Sequence, residues 1–356
     1  MRKVLGSPFV DLLVGPHGID RYLELIRPSL TIRDARAEVI AVRRQTARSV
    51  TLSLRPNGAW DGFRAGQFVR VGFEIDGVRR TRTYSPACSE HGSGRELELT
   101  VTAHPGGLVS NHLRDAVAHG AVVHLAPASG SFVLPDFRPE RLILVSGGSG
   151  ITPVMSMLRT LCDEGHDGRI RFLHYARTEG DWLYGSEVSR LAARHAGVHA
   201  DYRATRSPGA GSGHIDAAAL GTVEGSTWAA VCGPPSLIEG ARTAWAQAGG
   251  LPERLLTETF TPPALLVPTG ETAQGSLRFL RSERSAEIGP GTLLEQAEGA
   301  GLTPDFGCRM GICHTCTCRK ASGAVRNVLT GAVSDEEDED IQLCISVPAG
   351  DVALEL

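Results

Sequence analysis

The stretch CRMGICHTC, residues 308–316, places three cysteines in a C-x4-C-x2-C pattern near the carboxyl end of the chain. A fourth cysteine, Cys344, follows after 27 intervening residues. This is the plant-type [2Fe–2S] spacing, in which four thiolates hold two irons. Gly307 and Gly311 allow tight bends that turn backbone N–H groups toward the cluster sulfurs. The pattern therefore predicts an electron carrier with four ligands, Cys308, Cys313, Cys316 and Cys344.

Two other uses of these cysteines are less consistent with the pattern. A zinc site usually has two C-x2-C pairs or a mixture of His and Cys, whereas this stretch has one such pair and a four-residue gap. Disulfides require an oxidising compartment, and the sequence shows no secretory signal. Cys318 lies close by but breaks the spacing, so it is interpreted as a small buried residue.

The overall composition restricts the class of protein. A chain of 356 residues has room for two or three domains, and 42% hydrophobic residues is ordinary for a globular protein. The formal net charge of −4 gives no reason to expect nucleic acid as a partner. The apolar runs fall far short of the roughly 20 residues that span a membrane. The first residues read as a surface helix or arm, and we expect a cytoplasmic protein.

The pattern of apolar residues divides the chain into several segments. Residues 36–135 alternate apolar and polar side chains between turns, which predicts a small antiparallel β-barrel. Residues 136–262 alternate strands with helices, which predicts a doubly wound parallel sheet whose last strand is Trp228–Cys232. Residues 1–35 are expected to form a helical arm and residues 263–274 a linker. Residues 275–356 carry the cysteine loop.

The sequence GGSGITP follows the first strand of the predicted parallel sheet and resembles a dinucleotide-binding turn. Its glycines would let a pyrophosphate approach the backbone, and the next helix offers free N–H groups and a positive dipole end. Thr152 is predicted as the N-cap and Pro153 as the first helical residue. A plain tight turn is the alternative. The residues of interest here are Gly147, Gly148, Gly150, Ile151, Thr152 and Pro153.

Three shorter motifs add to this pattern. CGPP (Cys232–Pro235) ends a parallel strand, where open α/β sheets bind ligands. RTYS (Arg82–Ser85) offers an arginine for a phosphate, a tyrosine for a flat ring and a hydroxyl for a ring nitrogen. GGLVS (Gly106–Ser110) opens a helix whose amides could bind a phosphate. Each motif alone could be an ordinary strand end or capped helix.

In this order, the five motifs resemble the ferredoxin–NADP reductase superfamily, in the branch that joins a flavin-binding barrel, a nicotinamide domain and a C-terminal β-grasp ferredoxin domain. The likeness covers about residues 36–356. It implies that Ser85 lies near the flavin N5 and that Thr152 and Cys232 lie beside the nicotinamide, as catalytic residues. It also implies cofactor contacts from Arg82, Thr83, Tyr84, Gly107, Leu108, Val109, Ser110, Gly233 and Pro234.

The resemblance also implies which cofactors bind. FAD is expected over FMN because similar proteins carry FAD. For the nicotinamide coenzyme we expect NADPH, with Arg206 at the 2′-phosphate and Arg203 or Arg177 adding charge. Glu179 and Asp181 follow the second strand and argue instead for NADH, because acidic residues there favour free ribose hydroxyls.

The predicted function is an NAD(P)H-dependent reductase that passes electrons through FAD and a [2Fe–2S] cluster to a partner desaturase or oxygenase. Residues 22–35 look most like reductases that serve acyl-CoA desaturases and some cytochromes P450. A diaphorase-like flavin reductase and a non-enzymatic electron carrier are the alternatives. The acidic run Asp335–Asp340 could dock a basic partner, including one in a membrane, or could be a solvated loop.

Overall fold

The computed structural model describes residues 18–92, 96–206, 215–260, 274–307, 309, 311 and 314–356. The chain divides into two compact units, Met1–Phe260 and Thr261–Leu356. Helix α1 (Gly18–Ile26) is the first described element. It lies within the predicted arm, residues 1–35, of which residues 1–17 are outside the described ranges. None of the helices in the described ranges has the length and apolar character needed to cross a membrane.

The first sheet of the larger unit is antiparallel and contains six strands, in the order β4-β3-β6-β1-β2-β5. Alternate side chains of its strands, such as Val39, Leu52 and Val71, are fully buried in one core. This alternation of buried and exposed side chains confirms the antiparallel sheet of the predicted flavin-binding β-barrel. The bounds are β1 Arg36–Arg44, β2 Ser49–Pro56, β3 Val69–Ile75, β4 Val78–Tyr84, β5 Leu97–Thr102, helix α2 Leu108–Asp115 and β6 Val122–Leu125.

The second sheet is parallel throughout, with the strand order β11-β10-β7-β8-β9. Leu144 and Phe172 pack against α3 on one face, while Val145 and Leu173 pack against α6 on the other, so helices cover both faces. The bounds are β7 Arg141–Gly147, α3 Ile151–Asp163, β8 Arg169–Ala176, α4 Gly185–Arg194, β9 Val198–Ala204, α5 Ala217–Leu220, β10 Trp228–Cys232, α6 Pro235–Gln247 and β11 Leu255–Glu258.

The doubly wound class is confirmed, but the prediction that Trp228–Cys232 is the last strand is wrong. Strand β11 follows it and pairs in parallel with β10, from Ala229 opposite Leu255 to Cys232 opposite Glu258. At four residues, β11 is too short for its pattern to stand out from the surrounding loop.

The smaller unit is a mixed sheet with one helix, as the predicted β-grasp ferredoxin fold requires. Strands β12 and β17 run parallel, and β14 pairs antiparallel with β17 and β16. Helix α7 begins with a capping box between Thr292 and Glu295. The bounds are β12 Ser276–Phe279, β13 Arg284–Glu287, α7 Leu293–Gly299, β14 Thr317–Asn327, β15 Val333–Ser334, β16 Glu339–Gln342 and β17 Ser346–Leu354.

Candidate functional site

The RTYS residues lie at the end of β4 and offer unsatisfied hydroxyl groups. The Ser85 Oγ and Thr83 Oγ1 atoms are buried, yet neither has a hydrogen-bond partner among the described residues. A buried hydroxyl without a partner is costly, so a bound group is expected to satisfy it. Tyr84 packs edge-on against Phe73, with ring centroids 6.0 Å apart. These residues therefore fit the polar edge of a flavin ring.

The GGLVS segment forms the start of α2. The first amides of any helix have no acceptor within the helix. The N-cap residue of α2 is Gly107, which has no side chain to accept a hydrogen bond from them. Ser110 Oγ accepts the His104 N–H at 3.3 Å, which fixes the loop that enters the helix. An N-terminus of this kind, with glycine at its start, suits a phosphate group.

The GGSGITP turn and the CGPP segment touch each other at the carboxyl edge of the parallel sheet. A Cβ atom at Gly150 would lie 2.4 Å from the Cys232 carbonyl oxygen and 2.9 Å from the Gly233 nitrogen. Only glycine permits this approach. Glycine is likewise needed at Gly147, where a Cβ atom would lie 2.9 Å from the Pro234 ring. The two sequence motifs therefore form one surface.

The predicted N-cap of α3 is wrong. The helix begins at Ile151 and its N-cap is Gly150, so Thr152 is already inside the first turn. The 3₁₀ turn Gly148–Gly150 leads directly into the helix and brings its start forward. The Thr152 hydroxyl donates to the Ser149 carbonyl at 3.3 Å instead of capping the helix.

A residue that the sequence reasoning missed, Glu258, lies beside Cys232. The Cys232 thiol points to Glu258 Oε2 at 4.0 Å, and the Gly233 N–H donates to the Glu258 carbonyl at 3.2 Å. Burial raises the pKa of Glu258 to about 8. Burial, and then the neighbouring Glu258, raises the pKa of the Cys232 thiol well above its ordinary value. Burial therefore favours the protonated form of both groups. Sequence reasoning missed this carboxyl group because it did not predict β11, the strand that places Glu258 beside Cys232.

Two arginines meet where β8 and β9 end. The Arg206 N–H donates to the Arg177 carbonyl at 2.9 Å, which sets the two residues side by side. Both side chains are exposed, and neither has an ion-pair partner in the described part of the chain. Arg203, the other predicted contributor, is bound to Asp201 at 3.0 Å and lies over the Tyr175 ring. The free positive charge at this strand end therefore belongs to Arg177 and Arg206.

The cysteine loop directs backbone N–H groups at sulfur atoms. The Gly311 N–H donates to Cys344 Sγ at 3.3 Å, and the Cys344 N–H donates to Cys316 Sγ at 3.4 Å. Both cysteines are 3% exposed. Gly311 has φ +77°, and a Cβ atom there would lie 2.7 Å from Ile345 Cδ1. N–H donors stabilise thiolates and help set the potential of an iron–sulfur centre, so these residues fit the [2Fe–2S] cluster.

Two predicted ligands, Cys308 and Cys313, lie outside the described residues. Cys318, predicted to be a buried non-ligand, lies on β14 within the hydrophobic core of the smaller unit. Burial raises the pKa of its thiol to about 11.

Comparison with known protein families gives three matches along the chain. An oxidoreductase FAD-binding domain matches residues 40–134, an oxidoreductase NAD-binding domain matches residues 144–243, and a 2Fe-2S iron-sulfur cluster binding domain matches residues 279–349. The matches fall in the same order as RTYS, GGSGITP and the cysteine loop.

Several characterised proteins are similar to this chain over most of its length. An NADPH oxidoreductase of Mycobacterium tuberculosis is 38% identical over 95% of this chain and 88% of its own. A glycine betaine monooxygenase reductase subunit of Pseudomonas aeruginosa is 30% identical over 82% of this chain and 87% of its own. Among solved structures, phthalate dioxygenase reductase shares the fold with a TM-score of 0.65 at 22% identity, covering 90% of this chain and 97% of that one.

Proposed function

We infer that this chain, which belongs to the ferredoxin–NADP reductase superfamily in the branch with FAD-binding, NAD-binding and [2Fe–2S] domains, is the reductase component of an oxygenase system. The observation that carries the proposal is the 30% identity to a glycine betaine monooxygenase reductase subunit across 82% of this chain. That match spans most of both chains. The chain is an oxidoreductase that uses NAD(P)H, FAD and a [2Fe–2S] cluster.

Each part of the site has a distinct task in this reaction. When bound, flavin accepts a hydride from nicotinamide and releases electrons singly, which a one-electron iron–sulfur centre requires. We assign Ser85 Oγ to the flavin N5 edge, and the amides at the start of α2 to its phosphates. The Gly147–Gly150 turn would admit the coenzyme pyrophosphate. Burial favours the protonated forms of the Cys232 thiol and the Glu258 carboxyl group. Both lie at the same strand ends, where hydride transfer would take place.

The proposal is tested by an anaerobic titration with NADPH followed by addition of an oxygenase component. We expect the flavin bands and the broad cluster absorption to bleach together under anaerobic conditions. Once the oxygenase component, its substrate and oxygen are admitted, the stored electrons should support one round of substrate oxidation. Bleaching of the flavin bands alone would instead indicate a diaphorase. An acyl-CoA desaturase in membrane vesicles and a cytochrome P450 serve as the competing acceptors, since both are alternatives for the partner.

We also propose that the preferred coenzyme is NADPH. A backbone hydrogen bond holds Arg177 and Arg206 side by side, and within the described ranges neither has an ion-pair partner, whereas Arg203 is engaged by Asp201. Guanidinium groups bind phosphate through charge-assisted hydrogen bonds, which contribute about 1.5–3 kcal/mol each. A 2′-phosphate would satisfy both arginines, and a free ribose hydroxyl would not.

Arg206→Ala is expected to lower kcat/KM for NADPH by roughly ten- to a hundredfold and to leave kcat/KM for NADH nearly unchanged, because one phosphate contact is lost. Steady-state reduction of ferricyanide with each coenzyme measures the ratio. Arg203→Ala is the matched control and should not alter the ratio, since its guanidinium is held by Asp201. A clear preference for NADH that Arg206→Ala does not change would contradict the assignment.

The acidic run Asp335–Asp340 has two structural parts. Asp335, Glu336 and Glu337 are exposed. Glu339 instead lies 3.3 Å from the ammonium group of Lys320, whose side chain is completely buried. We propose that Asp335, Glu336 and Glu337 steer a basic acceptor toward the cluster. Glu339 instead stabilises the pairing of β16 with β14.

Neutralising Asp335, Glu336 and Glu337 together is expected to slow electron delivery to the oxygenase component several-fold at low salt and to flatten its salt dependence, because steering acts on association rates. Ferricyanide reduction should not change. Glu339→Gln is the informative comparison, since it should lower the unfolding temperature without flattening the salt dependence. Unchanged rates and salt dependence in the triple variant would leave these residues as a solvated loop.

A further inference from the structure

An ion pair joins the barrel sheet to the parallel-sheet domain just after the strand end that carries Arg177. Arg48 lies in the turn between β1 and β2, and Asp181 ends the short 3₁₀ turn Glu179–Asp181 after β8. Arg48 Nη2 donates to Asp181 Oδ1 at 2.8 Å, and Thr178 Oγ1 donates to Asp181 Oδ2 at 2.9 Å. Both carboxylate oxygens of Asp181 therefore already accept a hydrogen bond.

The position of this pair links both cofactor-binding regions. Thr178 directly follows Arg177, whose carbonyl holds the Arg206 N–H, so Asp181 is anchored at the same strand end as the two arginines. On the barrel side, the Arg48 carbonyl accepts the Ala103 N–H at 2.8 Å, three residues before the GGLVS segment. The Arg48 side chain thus extends from the barrel sheet to the end of β8 in the parallel sheet, where the coenzyme is proposed to bind.

Asp181 carries a negative charge that matters for coenzyme choice. Its hydrogen bond from Arg48 is the main cause that holds its pKa below the ordinary value, with a further contribution from Thr178. Acidic residues after the second strand of such sheets bind the ribose hydroxyls of NADH. A free carboxylate here would repel a 2′-phosphate and would also compete with it for the neighbouring guanidinium groups.

We propose that Arg48 determines coenzyme specificity from across the domain boundary: by binding the Asp181 carboxylate, it withholds that group from ribose hydroxyls and leaves Arg177 and Arg206 for a 2′-phosphate. Arg48 is a positioning residue in this scheme, since it acts through Asp181. The inference rests on the NADPH preference proposed above.

Calorimetric binding of two coenzyme fragments to the holoenzyme tests the proposal without any turnover. Adenosine 2′,5′-bisphosphate carries the 2′-phosphate, and 5′-AMP does not. Arg48→Gln is expected to weaken bisphosphate binding roughly tenfold relative to 5′-AMP, as one released charge in a partly solvated site would do. Adding Asp181→Asn to Arg48→Gln removes the released charge and should restore the original ratio. Arg64→Gln is the control, since the Arg64 side chain is about as exposed as that of Arg48 and pairs with Asp136, a more exposed carboxylate.

The outcomes separate this inference from the coenzyme assignment. If the unaltered protein binds both fragments equally, the NADPH assignment fails and the role of Arg48 fails with it. If the unaltered protein prefers the bisphosphate but Arg48→Gln keeps the same ratio, only the role of Arg48 is overturned. A loss in Arg48→Gln that the double variant does not restore would also overturn it, because it would show that Arg48 acts only by holding the two domains together.

Discussion

Replacing Cys344 by serine is expected to abolish the visible absorption of the [2Fe–2S] cluster, while NADPH still reduces the flavin at close to the original rate. Cys344 is buried, receives the Gly311 N–H on its sulfur and donates its own N–H to Cys316 Sγ. The change therefore removes a predicted cluster ligand and one N–H···S contact together. Electron delivery to the oxygenase component should fall to background, because flavin alone would have to serve the acceptor. Absorption and low-temperature electron paramagnetic resonance spectra measure the cluster, and stopped-flow absorption measures the flavin.

Cys318→Ser is the matched control for this prediction. Cys318 is also buried in the core of the smaller unit, and its thiol contacts the Arg319 carbonyl at 3.5 Å. Its replacement should cost some stability and leave the cluster spectrum intact. If Cys318→Ser removed the cluster while Cys344→Ser retained it, the ligand assignment would be wrong. A thermal unfolding curve for each variant guards against loss of the cluster through general unfolding.

Sequence patterns predicted the parts of this molecule that depend on local rules. The alternation in residues 36–135 gives an antiparallel sheet, because period-two burial is a property of the strand itself. The contact between the GGSGITP and CGPP segments could also be predicted from the sequence, since adjacent parallel strands end at the same edge of the sheet.

The features that sequence reasoning missed depend on contacts between distant segments. Glu258 lies beside Cys232 because β11 pairs with β10, and four residues carry too little periodicity to reveal that pairing. Arg48 and Asp181 are 133 positions apart, so no local pattern predicts their ion pair. Thr152 was placed at the N-cap because its residue type suits that position, but the 3₁₀ turn before it started the helix earlier.

A partly buried arginine, Arg159 on α3, joins the parallel-sheet domain to the barrel sheet. It donates two parallel hydrogen bonds to Glu187, at 2.7 and 2.8 Å. Its Nη1 atom also donates to Glu98 Oε1 and to the Ala87 carbonyl, each at 2.7 Å. One turn earlier on the helix, Ser156 donates to the Cys88 carbonyl at 2.7 Å. These bonds hold the segment that directly follows Ser85, so they stabilise the fold and the proposed flavin contact together.

Arg159→Met is expected to lower the free energy of unfolding of the larger unit by about 3–5 kcal/mol, because it leaves the partly buried Glu187 carboxylate without its cation and Glu98 with only Arg43, 3.9 Å away. FAD should dissociate at a lower temperature, since the backbone after Ser85 loses the Arg159 bond to the Ala87 carbonyl and keeps only the Ser156 bond to the Cys88 carbonyl. Flavin fluorescence during heating and urea unfolding of the holoprotein measure the two effects. Adding Glu98→Gln and Glu187→Gln to Arg159→Met should recover much of the lost stability, because no uncompensated charge then remains. A loss below about 1 kcal/mol in Arg159→Met would be within the range of a surface ion pair. It would show that water reaches the charged groups of Arg159, Glu98 and Glu187, and that Arg159 does not fix the domain boundary.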